Sequence, residues 1–160
     1  MEAYLDIETT GLSRRCDAIT VVGINLHHGI RNKFVQLVDD DITPERILRT
    51  LKGVEAIYTY NGSRFDLPFI NYHLGINLAK LFRHCDLMYH CWANNLYGGL
   101  KCVEGQLGIT RHLSEITGYD AVRLWWEYTN NHDDGALNIL LEYNREDVLN
   151  LKILKDMLLR

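Results

Sequence analysis

Two carboxylic acids near the start of the chain are spaced so that both could serve one chemical site. Residues 4–8 read Tyr-Leu-Asp-Ile-Glu, a run typical of a β-strand. Because successive side chains of a strand point to opposite faces, Asp6 and Glu8 share one face while Leu5 and Ile7 line the other. At a rise of about 3.3 Å per residue the two acids begin roughly 6.6 Å apart, close enough for both to reach bound metal ions. An exposed edge strand with solvated acids is the alternative.

A third carboxylate lies within an apolar stripe of the C-terminal segment. From residue 135 or 136 onward the sequence predicts a helix, and apolar positions recur there at three- and four-residue steps, with one acid among them: Leu140, Tyr143, Asp147, Leu151, Leu154 and Leu158. A buried carboxylate is costly unless it is paired or binds a metal, and Tyr143 lies one turn before Asp147 on the same face. The alternative is a hydrogen bond between Tyr143 and Asp147. Both interpretations predict that Asp147 is buried.

A fourth acid follows the strand predicted at residues 56–60. Residues 60–68 read Tyr-Asn-Gly-Ser-Arg-Phe-Asp-Leu-Pro, which is typical of a strand-to-helix junction, and Pro68 must lie in the first helical turn. Asp66 is therefore either a helix N-cap, in a capping box with Ser63, or a further site acid. The capping interpretation explains neither the turn at residues 61–62 nor the neighbouring Phe65.

Taken in order, these segments resemble the three motifs of the tyrosine-containing (DEDDy) exonucleases of the DEDD superfamily. Residues 6–12 (Asp-Ile-Glu-Thr-Thr-Gly-Leu) resemble the first motif, residues 61–66 the second, and residues 143–147 (Tyr-Asn-Arg-Glu-Asp) the third. Position 142 is Glu rather than His, so the sister class with histidine there does not fit. The segments 60–68, 86–87, 100–104 and 116–119 also resemble the stand-alone YprB-type branch of predicted RNase H-like exonucleases. The resemblance covers almost the whole chain.

The resemblance implies a fold, a cofactor and a role for each site residue. The implied fold is α/β and RNase H-like, with a mixed central β-sheet flanked by helices on both faces, and the implied cofactors are two divalent metal ions, Mg²⁺ or Mn²⁺. Asp6 would bridge both ions, Glu8 and Asp147 would hold the ion that carries the attacking water, and Asp66 would serve the second ion through water. Tyr143 would orient the attacking water.

The function implied is a metal-dependent 3′-5′ exonuclease that hydrolyses phosphodiester bonds at the 3′ end of single-stranded DNA or RNA and releases nucleoside monophosphates. The backbone amides of Thr9 and Thr10, together with Asn61 and a stacking Phe65, are the predicted substrate contacts. Three basic residues are candidates for phosphate contacts, with ordinary solvation as the alternative: Arg64, Lys101 and Arg111. A non-catalytic nucleic-acid or protein-interaction module and an RNase H-like endonuclease are the competing functions.

The elements that must position these residues can also be predicted. Strands are expected at residues 4–8, 18–26, 33–38 and 56–60, with a hairpin turn at His28-Gly29. Helices are expected at about residues 44–51, 67–74, 103–107 and 119–128, besides the C-terminal one. Trp125 and Trp126 are expected in the core. A hairpin followed by alternating helices and strands favours a mixed sheet covered by helices.

Composition limits the function classes. The 160 residues predict a single domain over 1–160, with 47% hydrophobic and 24% charged residues. The 17 Lys and Arg against 21 Asp and Glu give a net charge of −4, the wrong sign for binding nucleic acid by bulk charge, so binding must be local or assisted by a protein partner. No apolar run is long enough to span a membrane, and we expect a cytoplasmic protein whose four cysteines are reduced.

Overall fold

A mixed five-stranded sheet forms the centre of the protein in the computed structural model, which describes residues 1–159. The strands are β1 (Glu2–Thr9), β2 (Ile19–His28), β3 (Arg31–Val38), β4 (Ala56–Thr59) and β5 (Arg83–Asp86). Their order across the sheet is β3-β2-β1-β4-β5. β1, β2 and β3 form an antiparallel meander, whereas β4 and β5 run parallel to β1. The predicted α/β fold is confirmed.

Seven α-helices connect and cover the strands over the described residues: α1 (Pro44–Thr50), α2 (Asp66–Leu74), α3 (Leu78–Leu81), α4 (Leu87–Ala93), α5 (Leu100–Leu107), α6 (Gly118–Asn131) and α7 (Asp134–Leu158). A 3₁₀ turn spans Asp39–Asp41. The predicted start of α1 is confirmed, because Thr43 accepts the Arg46 N–H as N-cap and Pro44 follows it. Across residues 1–159 no helix is both long and apolar enough to cross a membrane.

The sheet carries a hydrophobic core on each face. One core joins Leu5 and Ile7 of β1 to α1, α2 and α3, and the other face is covered by α4, α5, α6 and α7. The Tyr4 side chain packs on the second face. Asp6 and Glu8 lie two and four residues further along β1, so their side chains point to the same face and toward α7. The alternation predicted for this strand therefore sends the acids to the side on which the C-terminal helix packs.

The pairing of β1 with β4 stops halfway along β1. The register runs from Glu2 opposite Ala56 to Tyr4 opposite Tyr58 and then ends. Beyond that point β1 remains paired with β2 on one side, and its other side borders the β4–α2 junction. Backbone donors on that edge need another partner, because an unpaired buried N–H is costly.

One expectation about the core is corrected. Trp125 is buried, but Trp126 is 47% exposed, since the next residue on a helix turns about 100° away from the packed face. Helices α3 and α4 were not predicted from the sequence, and each is short. None of the four cysteines, all of them among the described residues, is joined in a disulfide.

Candidate active site

The acids of β1 and α7 meet on the α7 face of the sheet. Carboxylate oxygens of Asp6, Glu8 and Asp147 lie within 4.8 Å of one another, the one cluster of this kind among residues 1–159. β1 supplies two of them because of its alternation, and α7 supplies the third because its apolar stripe faces the sheet. Residues separated by about 140 positions in sequence thus converge, and the solvated edge strand considered for Asp6 and Glu8 is ruled out.

Asp66 borders this cluster from the other side. It is the first residue of α2 and only 3% exposed, and its Oδ1 accepts the backbone N–H of Ile7 at 3.1 Å. That N–H lies on the half of β1 beyond the end of its pairing with β4. The capping interpretation is wrong, since Phe65 occupies the N-cap position without a side-chain cap bond. Asp66 instead joins α2 to β1 beside the other acids.

Burial and mutual repulsion shape the electrostatics of the four acids. Burial, followed by the charges of Asp147 and Asp66, raises the pKa values of both Asp6 and Glu8 well above the usual range. Burial raises the pKa of Asp66 to about 7. For Asp147 burial again dominates, but Arg111 opposes it, and the pKa rises to about 6. The cluster is therefore short of positive charge.

The donor set fits divalent cations with oxygen ligands. Oε1 of Glu8 is buried and has no hydrogen-bond partner, a costly state for a carboxylate oxygen unless a cation takes it up. Carboxylates are the ligands that Mg²⁺ and Mn²⁺ prefer, and like charges held this closely are relieved by such ions. The side chains present therefore fit the metal ions that the sequence motifs imply.

Tyr143 lies one turn before Asp147 on the buried face of α7 and is 7% exposed. Burial, followed by the charges of Asp147, Glu8 and Asp6, raises the pKa of its hydroxyl, which stays protonated at neutral pH. Two cations approach its ring: Lys101 Nζ lies 4.8 Å and Arg111 Cζ 5.6 Å from the ring centroid. Tyr143 is therefore a neutral hydroxyl among ionic groups.

A support network behind Asp6 was not predicted from the sequence, although Asn144 lies within the third motif. Asn144 donates to Oδ2 of Asp6 at 3.0 Å, and Gln36 of β3 donates to the side-chain oxygen of Asn144 at 3.0 Å. Gly23 stands opposite Asp6 in β2, and a Cβ there would meet the Asn144 side chain and lie 2.8 Å from Cγ2 of Val148. The missing side chain lets α7 approach the sheet closely enough for Asn144 to hold Asp6.

Arg111 forms the most unexpected contact of the site. Its guanidinium donates to both oxygens of Glu104, at 2.8 and 3.3 Å, and also forms an ion pair with Asp147. The Arg111 and Glu104 side chains are 5% and 2% exposed, so the solvated alternative is wrong for Arg111. Asp147 is paired with Arg111, a partner that differs from the tyrosine hydroxyl considered from the sequence.

The loop between β4 and α2 is organised by an acid whose role the sequence did not reveal. Asp86, at the end of β5, accepts the backbone N–H of Asn61 at 2.8 Å and that of Ser63 at 3.0 Å. Asn61 has a positive φ of 60°, a conformation that asparagine tolerates better than most residues. The loop that brings Asp66 to β1 is thus fixed by β5.

A cavity of about 800 Å³ opens beside Glu8. It lies between the end of β1 and the start of α6, and its lining includes Thr9, Thr10, Phe65 and Tyr119. Asn61, the remaining predicted substrate contact, is not part of this lining in the described chain. One further expectation is corrected: the Thr10 N–H donates to the Ala18 carbonyl at 2.9 Å and is therefore engaged within the chain.

Comparison with known proteins gives a family and a fold. The family model of the RNase_H superfamily matches residues 3–159. The family B DNA polymerase of the archaeon Pyrobaculum calidifontis is similar in structure, with a TM-score of 0.71 and 17% identity over 99% of this chain and 24% of the polymerase. The comparison with curated proteins gave no match.

The second similar structure is that of Brucella melitensis NrnC bound to pGG. It gives a TM-score of 0.66 at 20% identity over 98% of this chain and 71% of NrnC. NrnC with bound Mg²⁺ gives a TM-score of 0.62. This chain therefore spans about a quarter of the polymerase and about seven tenths of NrnC. At these identities the likeness establishes the fold.

Proposed function

This chain belongs to the RNase H superfamily, and from that premise we propose that it is a metal-dependent 3′-5′ exonuclease of the DEDDy type. The reaction proposed is hydrolysis of the terminal phosphodiester bond of a single-stranded nucleic acid, with release of a nucleoside monophosphate. The observation that carries the proposal is the convergence of Asp6, Glu8 and Asp147 within 4.8 Å, with Asp66 and Tyr143 beside them. NrnC, which has been seen with Mg²⁺ and with pGG, adds support as a structural relative.

Asp6, Glu8, Asp147 and Asp66 would together hold two divalent cations, Mg²⁺ or Mn²⁺. Such cations, when bound, lower the pKa of a water molecule and stabilise the leaving oxygen of a phosphodiester. The support network holds Asp6 in position, because Asn144 occupies one of its oxygens and fixes the carboxylate plane. Ile7 does the same for Asp66. The chain thus presents oriented oxygens before any ion arrives.

Tyr143 would orient the attacking water. Its hydroxyl is protonated at neutral pH, so it can both donate and accept a hydrogen bond next to the acids. The α7 backbone and the packing of the ring fix its position, and correct placement of a reactant lowers the entropic part of the barrier. A neutral phenol also adds no negative charge to a site that already repels phosphate.

The cavity beside Glu8 would receive the terminal nucleotide. Its volume of about 800 Å³ is within the usual range for small-molecule sites. Phe65 and Tyr119 supply aromatic surface for stacking, and Thr9 and Thr10 supply polar groups near the acids. Phe65 is itself packed against Phe69, with ring centroids 4.8 Å apart, so it offers a supported surface.

Digestion of 5′-labelled single-stranded DNA and RNA with Mg²⁺ or Mn²⁺ tests the proposal. We expect stepwise shortening by the wild-type protein and shortening slower by about 10²-fold to 10³-fold with Asp6→Asn, which keeps the side-chain shape and removes the charge. A circular single strand should stay intact, and its cleavage would indicate an endonuclease instead. Binding of the oligonucleotide without hydrolysis, with metal binding confirmed by calorimetry, would contradict the proposal in favour of a non-catalytic module.

A further inference from the structure

Two cationic side chains stand on the Tyr143 side of the acid cluster with donors that nothing in the described chain accepts. Nζ of Lys101 is buried without a hydrogen-bond partner, and so is Nη1 of Arg111. Both cations lie over the Tyr143 ring. Burying a charged donor without an acceptor costs more free energy than burying a neutral one. We therefore expect a ligand of the site to accept hydrogen bonds from these two donors.

Arg111 is held in place by contacts that do not involve the site acids. Glu104 binds it through two hydrogen bonds, and Asn150 in turn donates to Glu104 at 2.9 Å. Glu146 accepts the backbone N–H groups of the two residues that follow Arg111, at 2.6 and 2.9 Å. If Asp147 bound a metal ion instead, one N–H of Nη2 would be released, while the bonds to Glu104 would hold the guanidinium in place.

Lys101 differs from Arg111 in having no carboxylate at hydrogen-bond distance. It lies in the first turn of α5 on a partly exposed side chain, whose ammonium could reach water by a rotation of its flexible stem. Its ammonium is instead turned inward over Tyr143. Glu104 and Asp147 are engaged by Arg111, so the Lys101 ammonium has no hydrogen-bonded acceptor at the edge of the site.

We propose that Lys101 and Arg111 form a phosphate-binding pair that contacts the non-bridging oxygens of the substrate phosphate on the Tyr143 side of the site. The proposal rests on the proposed function and assigns it two further substrate-binding residues. Phosphate supplies the acceptors that both donors lack, Arg111 acting as an oriented fork and Lys101 as a mobile point charge. In a chain with net charge −4, the pair supplies local positive charge beside acids that repel phosphate.

Binding of adenosine 5′-monophosphate and of inorganic phosphate in the presence of Ca²⁺, measured by calorimetry, tests the pair. Lys101→Met and Arg111→Gln should each weaken binding of both probes about tenfold or more. Lys80→Met and Arg49→Gln remove exposed cations elsewhere and serve as matched controls with unchanged affinity. Thermal melts identify variants that remain folded, and Lys101→Met keeps the test decisive if Arg111→Gln unfolds because Glu104 loses its partner.

A second readout separates phosphate contact from a structural role. For a single-stranded oligonucleotide, loss of one phosphate contact should lower the slope of log affinity against log salt concentration by about 0.7. A folded Lys101→Met protein with wild-type probe affinity and wild-type slope would overturn the inference. If the wild-type protein digests oligonucleotides in that case, the proposed function stands. If phosphate binding depends on Lys101 and Arg111 but the wild-type protein digests no oligonucleotide, the phosphate-binding pair is supported and the proposed exonuclease activity is contradicted.

Discussion

The carboxylate of Asp6 is a proposed metal ligand, and removal of its charge should affect activity and stability in opposite directions. Asp6→Asn should lower kcat by about 10²-fold to 10³-fold, because the loss of a metal ligand forfeits several kcal/mol of charge stabilisation. The same change removes repulsion among buried acids and should raise the melting temperature of the metal-free protein. Steady-state kinetics and thermal melts check the two effects. A fall in both kcat and melting temperature would indicate a folding defect instead.

Tyr143→Phe isolates the role of the hydroxyl. The ring, its packing and its contacts with Lys101 and Arg111 remain, so melting should be almost unchanged. The kcat should fall by about tenfold to 100-fold, since a poorly placed water costs on that order, while KM stays near its wild-type value. A rise in KM with constant kcat would assign the hydroxyl to substrate binding.

The raised pKa values of Asp66 and Asp147 predict how stability depends on pH without metal. Burial raises the pKa of Asp66 to about 7 and that of Asp147 to about 6, against a usual value of 3.8. Between these limits the folded state binds more protons than the unfolded state, so stability falls as the pH rises from about 4 to about 7. Melts without divalent ions should show this decline. Mg²⁺ should restore stability more at about pH 8 than at about pH 5, and equal effects at both would contradict the assignment.

At the scale of elements, the close approach of α7 to β2 depends on Gly23. Gly23→Ala places a methyl group against Asn144 and Val148 and should destabilise the fold by about 1–3 kcal/mol. Because Asn144 holds Asp6, activity should fall as well. Gly105→Ala is the matched control, since its added Cβ meets nothing in α5 and should be neutral or slightly stabilising. Chemical denaturation of both variants measures the difference.

The same elements show what the sequence could and could not predict. The alternation of side chains along β1 and the apolar stripe of α7 follow from local periodicity. Both correctly predicted which face of the element carries the acids. Helices α3 and α4 are too short for periodicity to be recognised, and their formation is determined by caps and packing. The contact of Glu104 with Arg111 joins a helix to a loop with no spacing rule, so it emerges only in three dimensions.

At the scale of the whole molecule, the excess negative charge lies partly within the site. The four acids of the site carry as much formal charge as the whole chain, −4, and two divalent ions would neutralise them. Single-stranded oligonucleotides should therefore bind weakly in EDTA and at least tenfold more tightly with Ca²⁺, as measured by fluorescence anisotropy at constant ionic strength. Equal affinity under both conditions would mean that binding occurs away from the acids.

The placement of the acids on β1 and α7 has a consequence for how this protein could diversify. Both elements are anchored in the two cores, so amide hydrogens there should exchange only when the entire domain unfolds. The segment of residues 10–18, which lines the cavity with Thr10, Gly11 and Leu12, connects β1 to β2 and can change sequence at little energetic cost. Replacement of this loop could thus alter the preference of the proposed enzyme for sugar or base, while the acids that carry the proposed reaction stay unchanged.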